Sequence, residues 1–135
     1  MLNSYDEYVV FLSTLLERFS GIESVEFNVY LSSATECYSE GTILFPNEIG
    51  LTFIEQIDFV ANKLFKYGYT VHQAGEKLYY YDSQPHPNDP SLAATHPHHK
   101  HIPPDIKHHR IPAPSLSFDH SNLEFIIREI ETTLL

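Results

Sequence analysis

Histidine can donate, accept, titrate near neutral pH and bind metal, and this chain concentrates it. Eight of its nine histidines lie between His86 and His120, four of them in the run Thr95-His96-Pro97-His98-His99-Lys100-His101. Other reactive groups are few: there is no Trp, one Met and a single cysteine, Cys37. Asp82 lies four residues before His86, and His98 follows twelve residues later with His99, Lys100 and His101 behind it. One carboxylate and several imidazoles support two kinds of chemistry. In the first, His86, His98 and His101, with Asp82 or Glu55, hold a divalent metal and leave one position open. In the second no metal takes part: one histidine is the base, another the acid, and Lys100 steadies a phosphate oxyanion. A plainer reading also stands, in which the tract is solvated loop that picks up metal adventitiously. His108, His109 and His120 read as loop composition.

The elements that would position these groups are legible upstream. Ser4 and Glu7 form a capping box. Tyr5, Tyr8, Val9, Leu12, Leu15, Leu16 and Phe19 then recur at helical spacing, which predicts a helix over residues 5–20 stopped by Gly21. Residues 25–31 alternate apolar and polar and predict a strand, with a second over residues 36–45. Residues 51–60 fit a helix or a strand. Their β-branched and aromatic content, with Gly50 in front, favours the strand. Glu55 then points to an apolar side, where a carboxylate is costly without partners.

Residues 64–72 alternate Phe65, Tyr67, Tyr69 and Val71 with polar neighbours. Residues 77–82 place Leu78, Tyr80 and Asp82 on one face and Tyr79 and Tyr81 on the other. From residue 83 to 117 the alternation stops, and eight of the nine prolines fall there. So long a loop in a compact domain is usually functional or disordered; its His, Pro and Asp content favours function. Leu123, Ile126, Ile127, Ile130 and Leu134 mark a last helix, with Ser121 and Glu124 as its expected capping box and Asp119 as an alternative cap. The expected fold is therefore α+β: one domain over residues 1–135, with a single curved antiparallel sheet of about five strands. The N- and C-terminal helices cover one face, and a long His/Pro-rich loop carries the chemistry.

The formal charge is −10 over 135 residues, which argues against a protein that coats nucleic acid non-specifically. The stretch from His96 to Arg110 runs the other way, with Lys100, Lys107 and Arg110 against Asp105. Such a loop on an acidic body suits a local anion or phosphate site, or an acidic surface masked by a partner. A lone Cys37 provides no internal disulfide. The first residues lack a basic leader and no apolar run approaches membrane-spanning length, so a cytoplasmic protein without membrane contact is expected.

Tyr80-Tyr81-Asp82-Ser83, Pro85-His86 and Pro97-His98-His99-Lys100-His101 together resemble the TumE-type toxin family of bacterial and archaeal toxin–antitoxin pairs. Members show an aromatic-Tyr-Asp-Asn strand end, a Pro-His pair and a Pro-His-His-Lys-His block. The stretch 41–58 resembles the family's Glu-bearing strand, with Glu55 at the matching place. The resemblance covers about residues 40–135. Ser83 departs from the usual Asn, and Ala94-Thr95-His96 stands where an aromatic commonly precedes the proline. The resemblance implies the toxin of a type II pair, neutralised by a cognate protein antitoxin, with RNA as the expected target of a ribonuclease activity. Its site would draw on Glu55, Asp82, His86, His98, Lys100 and His101. His98 or His101 would be the acid or base, Lys100 the phosphate anchor, and Asp82 the group that orients a histidine. A non-enzymatic metal- or partner-binding protein of the same fold is the alternative, an inactive relative a further one, and self-association stays open.

Overall fold

The structure is a computed structural model and describes residues 2–83 and 98–135. The Ser4 hydroxyl caps the first helix as expected, accepting from the Glu7 N–H at 3.2 Å. The helix expected over residues 5–20 is broken, however, into α1 (Tyr5–Ser13) and the single turn α2 (Leu15–Arg18). The Thr14 hydroxyl donates back to the Val10 carbonyl at 3.0 Å, a local bond that competes with the helical ladder. The chain leaves the helix at Phe19, in extended conformation, before Gly21 is reached.

Seven strands follow, in place of the five expected: β1 (Ser24–Leu31), β2 (Glu36–Leu44), β3 (Ile49–Asp58), β4 (Lys63–Gln73), β5 (Glu76–Asp82), β6 (His99–His101) and β7 (Arg110–Pro112). They form one antiparallel sheet in sequence order. The ambiguous stretch 51–60 is strand as far as Asp58, as its β-branched content indicated, and a turn follows. The two extra strands fall inside the expected loop 83–117. Each has three residues, too few for an alternation to be read, and Pro112 is tolerated because β7 lies at the sheet edge.

The helix α3 (Leu123–Thr133) buries Leu123, Ile126, Ile127 and Ile130 against the same sheet face that Tyr8, Phe11 and Leu12 of α1 cover. Ile43, Leu51, Phe53, Ile57, Tyr69, Val71 and Tyr81 line that face. Burying such side chains stabilises by roughly 1.5–3 kcal/mol each. The expected Ser121–Glu124 capping box does not form. Ser121 instead accepts from the Leu123 N–H at 3.2 Å, and Glu124 turns to Arg18. Two alternations also fail, one of them in β5, where Val71 and His72 pair with Tyr79 and Lys77 and Leu78 is left as an extra residue that packs on the core with Tyr79. In the other the register shifts between Gln56 and Ile57, which pair with Lys66 and Leu64, so Phe65 is the extra residue. This bulge puts Leu64 into the core and leaves Phe65 47 % exposed.

Candidate functional site

Two alternate register pairs build the site. Asp82 pairs with His99, and Tyr80 with His101; Tyr81 pairs with Lys100 between them. Successive side chains on a strand point to opposite faces. Asp82, Tyr80, His99 and His101 therefore share the face away from the helices, while Tyr81 and Lys100 face α3. His99 Nε2 touches Asp82 Oδ1, and His101 Nε2 stands 3.5 Å from Asp82 Oδ2. Both imidazoles are almost fully enclosed, His99 at 1 % and His101 at 3 % exposure, while the Asp82 side chain keeps 26 %.

The hairpin turn over 102–109 fixes His101 from behind. Its Nδ1–H donates to the Ile106 carbonyl at 3.1 Å, which leaves Nε2 as the nitrogen facing Asp82. Tyr80 stacks on the His101 ring at 4.0 Å between centroids. Burial holds the His101 pKa below its ordinary value of 6.5, and although the Asp82 charge opposes this, His99 and Arg110 add to it. Burial thus favours the neutral form of the His101 ring, against the pull of the neighbouring carboxylate. Arg110 pairs with His101 in register, so the site has a cation on its own face.

The other residues singled out in the sequence lie elsewhere. The Lys100 ammonium is 3.6 Å from Glu129 of α3 and sits 4.3 Å from the Tyr79 ring centroid. It clamps the sheet to the helix and stands on the opposite face from the two histidines beside it. His98 Nδ1 is 2.5 Å from the Tyr67 hydroxyl, and its ring stacks on Tyr67 and contacts Phe118. Glu55 is fully buried on the helix side, pairing in register with Tyr67. Its carboxylate accepts from the hydroxyls of Tyr8 (2.7 Å), Tyr69 (2.5 Å) and Ser121 (2.7 Å). These three bonds favour the ionised form, but burial outweighs them and raises the Glu55 pKa. The partners that an inward-facing carboxylate requires are therefore present, drawn from both helical regions and β4. They tie α1 to the start of α3 through the core and do not bring Glu55 to Asp82. His86 lies outside the described residues.

Ser83 continues the β4–β5 pairing with its side chain. The Tyr67 N–H donates to Ser83 Oγ at 3.0 Å, and the Ser83 N–H donates to the Tyr67 carbonyl at 3.3 Å. This clip follows Asp82 directly and fixes the strand end that carries it. His99 was not among the residues singled out in the sequence. The signal was available: once Asp82 ends a strand and the His block pairs with it, alternation selects His99 and His101 together and excludes Lys100.

An α+β chain with a carboxylate and two buried imidazoles gathered on the sheet face opposite the helices can transfer protons or hold a cation. A family model described as Toxin TumE matches residues 12–134. The chain belongs to the TumE toxin family, as the resemblance implied. Membership makes it a toxin by class, with an antitoxin as the implied partner. No curated protein matches the chain, and no solved structure does. Among the described residues no helix is long and apolar enough to cross a membrane.

Proposed function

We propose that this TumE-family toxin acts on RNA phosphodiesters through Asp82, His99 and His101, and that a cognate protein antitoxin neutralises it. The observation that carries this reading is the convergence of those three side chains, within 4.8 Å of one another, on the sheet face opposite the helices, with Asp82 partly exposed. A phosphodiester needs a group to take or deliver protons and a positive group for the developing charge on phosphorus-bound oxygen. The imidazoles and Asp82 supply the first. Arg110 supports the second, since a guanidinium matches phosphate geometry and Lys100 is engaged with Glu129 on the other face. The acidic body repels RNA in general, so binding rests on the local cations Lys107 and Arg110. Glu55, His98 and Lys100 enter this reading as the groups that hold the helices and the sheet edge in place beneath the site.

The test is RNA integrity over time with purified toxin freed of antitoxin. Wild-type protein is expected to produce discrete fragments, and the pair of substitutions His99→Ala and His101→Ala to slow cleavage by about 100-fold or more. His86→Ala belongs in the same series. Intact RNA with the wild type, or unchanged cleavage by the double variant, contradicts the reading.

A further inference from the structure

We infer that Asp82, His99 and His101 form a binding site for one divalent transition-metal ion of the zinc type, with His99 Nε2, His101 Nε2 and an Asp82 oxygen as its protein ligands. The inference rests on the trio already proposed for RNA cleavage and names that site's cofactor. It differs from the His86, His98 and His101 set expected from the sequence, because His98 is engaged with Tyr67 on the helix side.

Three observations carry it. The first is the state of His101. Its Nδ1–H is committed to the Ile106 carbonyl, so in the neutral ring Nε2 presents a lone pair. That nitrogen is buried, and among the described residues nothing hydrogen-bonds to it. It points at a carboxylate oxygen 3.5 Å away, so two acceptors face each other across a gap that holds no proton. A buried acceptor without a donor costs about 1–3 kcal/mol, and a cation between the two removes that cost.

The second is the spacing. Zinc bonds to nitrogen and oxygen are about 2.0–2.2 Å long. Two ligands in tetrahedral arrangement therefore lie about 3.3–3.5 Å apart. The separation between His101 Nε2 and Asp82 Oδ2 is already in that range and all three ligand atoms lie within 4.8 Å, whereas His99 Nε2 touches Asp82 Oδ1 and draws back when the two share an ion. The Ile106 carbonyl is the kind of outer partner that fixes ring orientation in metal-binding histidines.

The third is access. The partner of Asp82 on β4 is Gly68, and a Cβ built there meets nothing within 4 Å among the described residues. The Asp82 side chain is partly exposed, so the carboxylate edge of the site reaches solvent. Two histidines and one carboxylate with an open position is a ligand set used for polarising a phosphoryl or carbonyl oxygen.

The test uses the full chain, stripped with chelator and titrated with Zn2+ by calorimetry and elemental analysis. One zinc per chain is expected, with a rise in thermal midpoint. His101→Gln should weaken binding well beyond the 10–100-fold that loss of an outer-shell partner produces. The partly exposed Asp82→Asn should do the same, and it keeps the test alive if the buried substitution unfolds the edge. The variant carrying His108→Ala and His109→Ala, on the exposed turn, should bind as wild type. Absence of stoichiometric zinc overturns the site, as does binding lost in the turn variant but retained in Asp82→Asn, which marks an adventitious tract. Zinc bound by the trio with no cleavage of RNA supports the metal site and removes the RNA reading. Cleavage unaffected by chelator, with no zinc bound, does the reverse.

Discussion

Asp82 and His99 are direct register partners across β5 and β6, and their side chains meet, carboxylate to imidazole, on the face of the sheet opposite both helices. The sequence separates them by seventeen positions. The pairing turns a histidine-rich tract into a selection: alternation sends His99 and His101 to Asp82, and Lys100 to Glu129. The family resemblance located the block, and the strand register decides which members of the block face one another.

Lys100 is accordingly expected to contribute to stability. Its ammonium lies over Tyr79 and 3.6 Å from Glu129, with the side chain 21 % exposed. Lys100→Met should lower stability by about 1 kcal/mol, once solvent screening of the pair is allowed for, and leave RNA cleavage within about three-fold of wild type. Urea unfolding and cleavage rates on the same samples check this. A loss of cleavage with unchanged stability would return Lys100 to the site.

Glu55 is expected to be the costliest single polar position in the core. Glu55→Ala leaves the hydroxyls of Tyr8, Tyr69 and Ser121 without their acceptor, and each unsatisfied buried group costs about 1–3 kcal/mol. A variant that fails to accumulate, or whose unfolding midpoint falls by more than about 10 °C, is the expected result.

The same residue sets a pH dependence. Burial raises the folded-state pKa of Glu55 above its ordinary 4.5, so between those two values the folded state binds more proton than the unfolded state. Its contribution is fully present below the ordinary value and declines as pH rises through the folded one. Glu55→Gln removes this titration. In that window the wild type should lose stability with rising pH relative to the Gln variant, measured by unfolding at a series of pH values. Parallel curves for the two proteins would show that Glu55 does not titrate with folding.

Gly41 lies where β2 must pass close to its neighbours. A Cβ there would come within 2.5 Å of the Glu26 carbonyl oxygen and 2.7 Å of the Phe53 ring. The carbonyl belongs to the backbone of β1 and cannot swing aside. Gly41→Ala should therefore destabilise by about 1–3 kcal/mol, whereas Gly68→Ala, whose added Cβ meets nothing within 4 Å among the described residues, should be close to neutral in stability. Thermal midpoints of the pair test the packing of the sheet centre against that of the open face.

Much of this fold was legible because its pattern is local. The alternations in β1 and β3 follow the period of two, and the Ser4 cap and the apolar stripe of α3 follow helical spacing. The remainder depended on non-local geometry. A back-bonding Thr14 divides the first helix, and a bulge at Phe65 reverses one alternation. Three-residue strands among prolines carry no periodicity, so β6 and β7 read as loop. A 35-residue loop in so small a domain was itself a sign of unread elements. Within the proposed trio, Asp82 and His101 were already among the residues read for their chemistry, and His99 needed the register. The sheet turns Glu55 and Lys100 toward the helices, a placement that residue type alone does not give.

Growth after induction of the toxin without its antitoxin tests the central claim most directly, comparing wild type, Asp82→Asn and Lys100→Met at matched protein levels. The account predicts arrest with the wild type and with Lys100→Met, and continued growth with a folded Asp82→Asn. Full arrest by Asp82→Asn would contradict it.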